Sequence, residues 1–249
     1  MEDQLRSLVA LGLTLILVML RAEAQRFGTA EYDEPVDGHP PSILRRLAWY
    51  GVALVGVVAI VQIHPTPTRD LFLNGGNGGV GLGFALGAVG VAYAVAMAWL
   101  RYRYVRLPDL SQYPGALINE IGTAVFDETV FRAALLGFLI AGGVEPTLAV
   151  VTQTAIYALA TRLGAPGRSR SMFILALVIG AVGGWATITT GGIAAAILGH
   201  GITRVAIFLT TGHAGQPLPK GREIEEVERR RRAPDGWRVV AGRDARGER

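Results

Sequence analysis

Seven apolar stretches, each close to the roughly 20 residues a helix needs to cross a hydrocarbon layer, recur along this chain. They fall at about residues 5–20, 43–63, 80–100, 115–141, 146–163, 171–189 and 191–211. Hydrophobic residues make up 51% of the 249, and the mean hydropathy is +0.37. That is more apolar surface than one soluble core of this size can bury. In a bilayer the backbone must satisfy its own hydrogen bonds, which selects α-helices for runs of this length. The expected fold is therefore all-α, a polytopic transmembrane helix bundle of about seven spans. The fourth stretch nevertheless carries Glu120, Asp127, Glu128 and Arg132, and the fifth carries Gln153, Tyr157 and Thr161. Polar groups at that depth point into the bundle rather than at lipid.

The arginines alternate as seven spans require. Arg21, Arg26, Arg45 and Arg46 lie in the first connection, Arg101, Arg103 and Arg106 in the third, Arg162, Arg168 and Arg170 in the fifth. The second, fourth and sixth connections hold only Arg69 beside Asp70, Glu145, and the uncharged 187–192. Positive charge collects on the cytoplasmic side of short loops, so the N-terminus is expected outside the cell membrane and the C-terminus in the cytoplasm. Ala22-Glu23-Ala24 imitates a signal-peptidase site, but the chain opens on acidic Met1-Glu2-Asp3 rather than a basic segment. A retained first helix is the expectation.

Residues 1–211 thus read as the transmembrane domain and 212–249 as a charged cytoplasmic tail. Within the tail, residues 222–232 place glutamates four residues ahead of arginines, a pattern for a short surface helix near lipid headgroups. With no cysteine in the chain, disulfides, cysteine nucleophiles and thiolate metal sites are excluded. A pI of 9.7 does not imply nucleic acid. Charge that alternates between loops reports topology and lipid contact rather than a continuous phosphate-binding stripe. Asn74-Gly75-Gly76-Asn77-Gly78-Gly79 lacks the Gly-Lys-Ser/Thr of a phosphate loop and reads as an outer turn. Gly83 and Gly87 beyond it have the spacing that lets two helices approach closely.

The chemistry concentrates on the fourth stretch. At about 100° per residue, Glu120, Asp127 and Phe131 share one helix face, while Glu128 and Arg132 sit beside it as an i,i+4 ion pair. That pairing leaves Asp127 as the free carboxylate. It faces the polar groups of neighbouring spans: Gln153, Tyr157 and Thr161 on the fifth, His200 and Arg204 on the seventh. A carboxylate, a histidine and hydrogen-bonding groups in a dry cavity suit activation of water by a general base. The same residues also suit a buried ion network that fixes helix register. A proton-coupled transporter, with Glu120, Asp127, His200 and Arg204 along a polar pathway, and a non-catalytic membrane scaffold are further readings. His39, His64 and His213 read as solvated. Without an HExxH motif or a three-ligand set, no metal and no cofactor is expected.

Asp127-Glu128-Thr129-Val130-Phe131-Arg132, Tyr157-Ala158-Leu159-Ala160-Thr161 and His200-Gly201-Ile202-Thr203-Arg204 together resemble the CAAX-processing and bacteriocin-processing (CPBP, or Abi) intramembrane proteases. That family carries Glu-Glu-xxx-Arg, then Phe-xxx-His, then His-xxx-Asn or His-xxx-Asp on successive helices, and the likeness spans about residues 115–211. It implies a CAAX-protease-like bundle and an intramembrane endopeptidase acting on a membrane-associated peptide or prenylated protein. It also implies a site at Asp127, Glu128, Arg132, Thr161, His200 and Arg204. Asp127 is one methylene shorter than the family's glutamate, Thr161 stands in place of a histidine, and Arg204 in place of a small neutral or acidic residue. Those departures imply an eroded site, with hydrolysis weak or lost and binding retained.

Overall fold

The computed structural model describes residues 2–24, 43–102, 105–108, 114–164, 170–211 and 237–241. Seven long helical passages account for most of them: α1 (Glu2–Ala22), α2 (Ile43–Ile63), α4 (Gly79–Tyr102), the composite α5 to α6, α7 (Pro146–Leu163), α8 (Arg170–Thr190) and α9 (Ala194–Thr211). A one-turn helix α3 (Pro67–Asp70) sits between α2 and α4. The composite passage runs through α5 (Pro114–Asp127), a π-helical segment (Glu128–Leu135) and α6 (Leu136–Ala141). These bounds follow the apolar stretches closely because span length and hydropathy are local signals. Four of the helices, α1, α2, α4 and α8, are long and apolar enough by composition to cross a membrane. α9 is a shorter apolar helix.

Consecutive passages run in opposite directions, and contacts at their ends show it. At one side of the bundle the Trp49 indole N–H donates to Leu20 O (3.2 Å), and the Tyr50 hydroxyl donates to Asn119 O (2.9 Å). The end of α1, the start of α2 and the first turns of α5 therefore share that side. At the other side Arg6 Nε donates to Ile63 O (2.9 Å), and Gly137 of α6 lies against the backbone of Asp70 and Leu71. α1, α2, α4 and α8 present apolar side chains outward, as Leu8, Met19, Val55, Phe84, Val89 and Ile174 do, a pattern suited to lipid contact.

The interior inverts soluble-protein logic: from Val130 to Leu136 every residue is buried, with Asp127 and Glu128 just before them. α4 and α9 approach through glycines, as the small-residue spacing predicts. A side chain at Gly83 would press on Leu198 at 2.7 Å, and one at Gly87 on Ile202 at 2.6 Å. The glycine-rich turn docks on the α8–α9 connection, where Asn77 N–H donates to Thr190 O (2.7 Å) and Ile193 N–H to Asn74 O (3.0 Å). Gly76 adopts a left-handed φ of 68° there, with no room for a side chain beside Thr190 and Gly192. Glu145 caps α7 by accepting from Leu148 N–H (2.9 Å). Hydrogen bonds from Thr147 and Leu148 hold its carboxyl below the usual range, because they favour the charged form.

Two features differ from expectation. His64, read as solvated, is 5% exposed: its Nδ1 accepts from Thr66 N–H (3.2 Å) and its ring meets Phe138 edge-on. Burial lowers its pKa from the ordinary value. The chain folds back at α3 and closes over it, which no local pattern announces. In addition, Trp237–Ala241 (β2) pairs antiparallel with Val105–Pro108 (β1), so the C-terminal segment returns to the α4–α5 connection. The tail helix expected at 222–232, and His39 and His213, lie outside the described residues.

Candidate functional site

The helix changes character at the charged pair. Directly after Asp127 the backbone enters an eight-residue π-helical segment, Glu128–Leu135. Such i→i+5 geometry is rare and recurs at functional sites. Neighbouring residues on a helix point about 100° apart, so the two adjacent carboxylates reach different helices. Asp127 turns to α1 and α7, Glu128 to α8 and α9.

Asp127 is not free, contrary to the reading from helix geometry. Arg21 Nε donates to its Oδ1 at 2.6 Å, Arg21 Nη2 lies 3.4 Å from Oδ2, and the Tyr157 hydroxyl donates to Oδ2 at 3.3 Å. The carboxylate has no exposure and Arg21 only 6%. Arg21 reads in the sequence as a topological arginine, but it lies in the last turn of α1 and enters the bundle beside Gly164. A side chain at Gly164 would collide with the Arg21 carbonyl.

Glu128 makes the expected pair with Arg132, Nε to Oε2 at 3.2 Å, both fully buried. It also makes an unexpected one: His200 Nδ1–H donates to Oε1 at 2.7 Å. Against an ionised Glu128, which can only accept, the shared hydrogen lies on Nδ1 and Nε2 is turned away from the carboxylate. The Arg132 guanidinium stacks 3.9 Å from the centre of the Tyr157 ring, and its Nη1 and Nη2 have no hydrogen-bond acceptor. The ring face and half of Glu128 are what compensate it. Gly183 of α8 makes room for the pair: a Cβ there would sit 3.2 Å from both Arg132 Nε and Glu128 Oε2. Gly183→Val is expected to push the two apart and cost about 1–3 kcal/mol of stability by overpacking. An unchanged melting temperature of the detergent-purified variant would contradict this.

Arg204 pairs with Glu120 instead of crowding His200, Nε to Oε2 at 2.9 Å. From Glu120 a polar chain continues outward. Asn119 Nδ2 donates to Glu120 Oε1 (3.2 Å), while Arg46 donates to Asn119 Oδ1 (2.8 Å) and Thr123 Oγ1 (3.1 Å). Arg46 also lies over the Trp49 ring at 4.4 Å. His200, Arg204, Glu120, Tyr157 and Thr161 line one small pocket whose remaining wall is apolar, from Leu175, Ala176, Ile179 and Ile207. About 20 Å³ of it is open to the centre of a water molecule, enough to hold one. The Thr161 hydroxyl faces no hydrogen-bond partner. Among the described residues no three His, Asp or Glu side chains group as metal ligands.

Of the six residues singled out from the sequence, five enter the ion pairs Arg21–Asp127, Glu128–Arg132, Glu128–His200 and Glu120–Arg204, and Thr161 lines the pocket, so no acid stands free. Arg21, Arg46, Asn119 and Gly183 were not foreseen. The only signal for the arginines is their position at the very edge of apolar stretches, where a side chain reaches inward as easily as to headgroups.

The chain thus folds as a helical bundle holding a buried acid–arginine pair, a histidine and a lined pocket. Residues 109–206 match the family model of Rce1-like type II CAAX prenyl endopeptidases, consistent with the CAAX-processing protease family. No curated protein and no solved structure matches the chain.

Proposed function

We propose that the protein is a multi-pass cell-membrane protein, N-terminus outside and C-terminus in the cytoplasm, that binds a membrane-associated peptide or prenylated tail. In this reading it hydrolyses that segment slowly. The carrying observation is the 2.7 Å contact between Glu128 and His200 at the edge of the pocket. Glu128 orients the imidazole and stabilises it once charged. His200 Nε2 takes a proton from the attacking nucleophile and returns it to the departing amine. The Arg204 guanidinium, in the pocket wall, is the cation nearest the developing oxyanion. Asp127, which the family pattern would make the base, is held by Arg21 and serves to position Tyr157. Slowness follows from that arrangement, since Asp127 is engaged and Glu120 already neutralises Arg204.

A transporter is less well supported. Glu120, Asp127 and His200 each face a partner inside the bundle, Arg204, Arg21 and Glu128 respectively, rather than a shared path. The test is terminal proteomics of membranes from cells making the wild type or His200→Ala at equal levels. Peptide termini present only with the wild type are expected. Identical termini would end the hydrolytic reading and leave binding.

A further inference from the structure

The two-stranded sheet lies at the pocket's end of the bundle. The pocket lining reaches to within about two turns of one end in each of four helices. Glu120 lies near the start of α5 at Pro114, Leu175 near the start of α8 at Arg170, Thr161 near the end of α7 at Leu163, and Ile207 near the end of α9 at Thr211. Because consecutive passages alternate in direction, these four ends share one side. The α4–α5 connection that carries β1 is on that side too, and β1 packs against α9 and α4. It is therefore extended backbone beside the helix that supplies His200, Arg204 and Ile207 to the pocket. Such a strand can recruit an extended peptide by main-chain hydrogen bonds.

The chain itself takes that edge. β2 runs antiparallel along β1, with Val105 opposite Ala241, Arg106 opposite Val239, Leu107 opposite Arg238 and Pro108 opposite Trp237. The register is interrupted between Val105 and Arg106, where Val240 is the extra residue of a bulge. Pro108 has no N–H to give to the ladder. β1 rests on two helices, whereas β2 is held chiefly by β1 among the described residues. A ribbon of two strands is marginal without a third strand or a packed face, and this one also closes a long loop. The contact holds the tail in place yet can be exchanged for an equivalent strand.

We propose that β2 is an autoinhibitory stand-in for substrate: the peptide to be cleaved adds to the edge of β1, and gains it only when Trp237–Ala241 leaves. This rests on the hydrolytic reading of the pocket. The partner that fits is an extended, unpaired segment at the membrane surface. A helical span keeps its N–H and C=O groups for itself and has none to offer the strand.

The test mixes the full-length, detergent-purified protein with an extract of membranes from cells that lack it, and counts the new peptide termini that His200→Ala does not produce. The chain has no cysteine, so Leu107→Cys/Arg238→Cys supplies the only two thiols, on residues directly opposite each other and within the span of a disulfide. Oxidation is expected to link them and to lower the termini by about tenfold or more, since a linked strand is not displaced at any peptide concentration. Reduction should restore them, and Leu107→Cys alone should not respond to the oxidant. Val239→Pro/Val240→Pro acts in the opposite direction. Successive N–H groups of a strand point to opposite edges, so one of the two prolines removes a donor facing β1. Termini should then rise about threefold or more above wild type. Failure of the two cysteines to link overturns the pairing, and equal counts from the linked and the reduced protein overturn the need for the edge. In both cases His200-dependent termini persist and the hydrolytic reading stands. Absence of such termini from every form, the proline variant included, ends that reading and this proposal with it.

Discussion

Arg21→Met is expected to lower the stability of the protein by about 3–5 kcal/mol, the cost of leaving one partner of a buried pair without the other. Asp127 is fully buried and takes both its strongest contacts from Arg21, at 2.6 and 3.4 Å. The Tyr157 hydroxyl at 3.3 Å cannot neutralise a charge. Asp127→Leu alone should cost a similar amount, because it leaves the guanidinium in the same dry place. The double variant Arg21→Met/Asp127→Leu should recover most of the loss, since two apolar groups of similar volume need no compensation. Thermal unfolding of the four proteins in one detergent closes the cycle. Simple addition of the two single losses would mean that the pair does not act as a unit.

This pair also marks the limit of what could be read in advance. Glu128 and Arg132 were legible as partners because a four-residue spacing is a property of one helix. That α4 packs closely against another helix was legible for the same reason, in Gly83 and Gly87, but that its partner is α9 was not. Arg21 and Asp127 stand 106 positions apart. Their meeting depends on which helix α1 packs against, and hydropathy carries no trace of that choice. The likeness to the CAAX-processing proteases identified the region, and the match over residues 109–206 agrees. Yet the arginine that engages the first acid comes from outside that region.

Which acid serves the histidine was misjudged for a related reason. An ideal helix places Asp127 with Glu120 and Phe131 on one face, and the acid left unpaired by Arg132 then looks like the free one. The chain leaves α-helical geometry at Glu128, and no residue in Glu128–Leu135 is a recognised cue for a π segment. Beyond that point the 100° rule fails. Glu128 also reaches His200 on a helix 72 positions away, a contact that no spacing within one helix announces.

Glu128→Gln carries the second large effect because one carboxylate serves two cationic or potentially cationic groups. Oε1 accepts from His200 and Oε2 faces Arg132, whose Nη1 and Nη2 have no acceptor of their own. Removing the charge leaves a fully buried guanidinium with only the Tyr157 ring to face, and the loss of stability should again be about 3–5 kcal/mol. The amide also turns against function. It can donate as well as accept, so it no longer selects the Nδ1-protonated ring, and it does not stabilise an imidazolium. Formation of His200-dependent peptide termini should fall by roughly 10²–10⁴, well beyond any loss of folded protein. Adding Arg132→Met to Glu128→Gln separates the two roles, since it removes the stranded cation while leaving His200 unoriented. Stability should return in that double variant and cleavage should not. Recovery of both together would make Glu128 a structural counter-ion and nothing more.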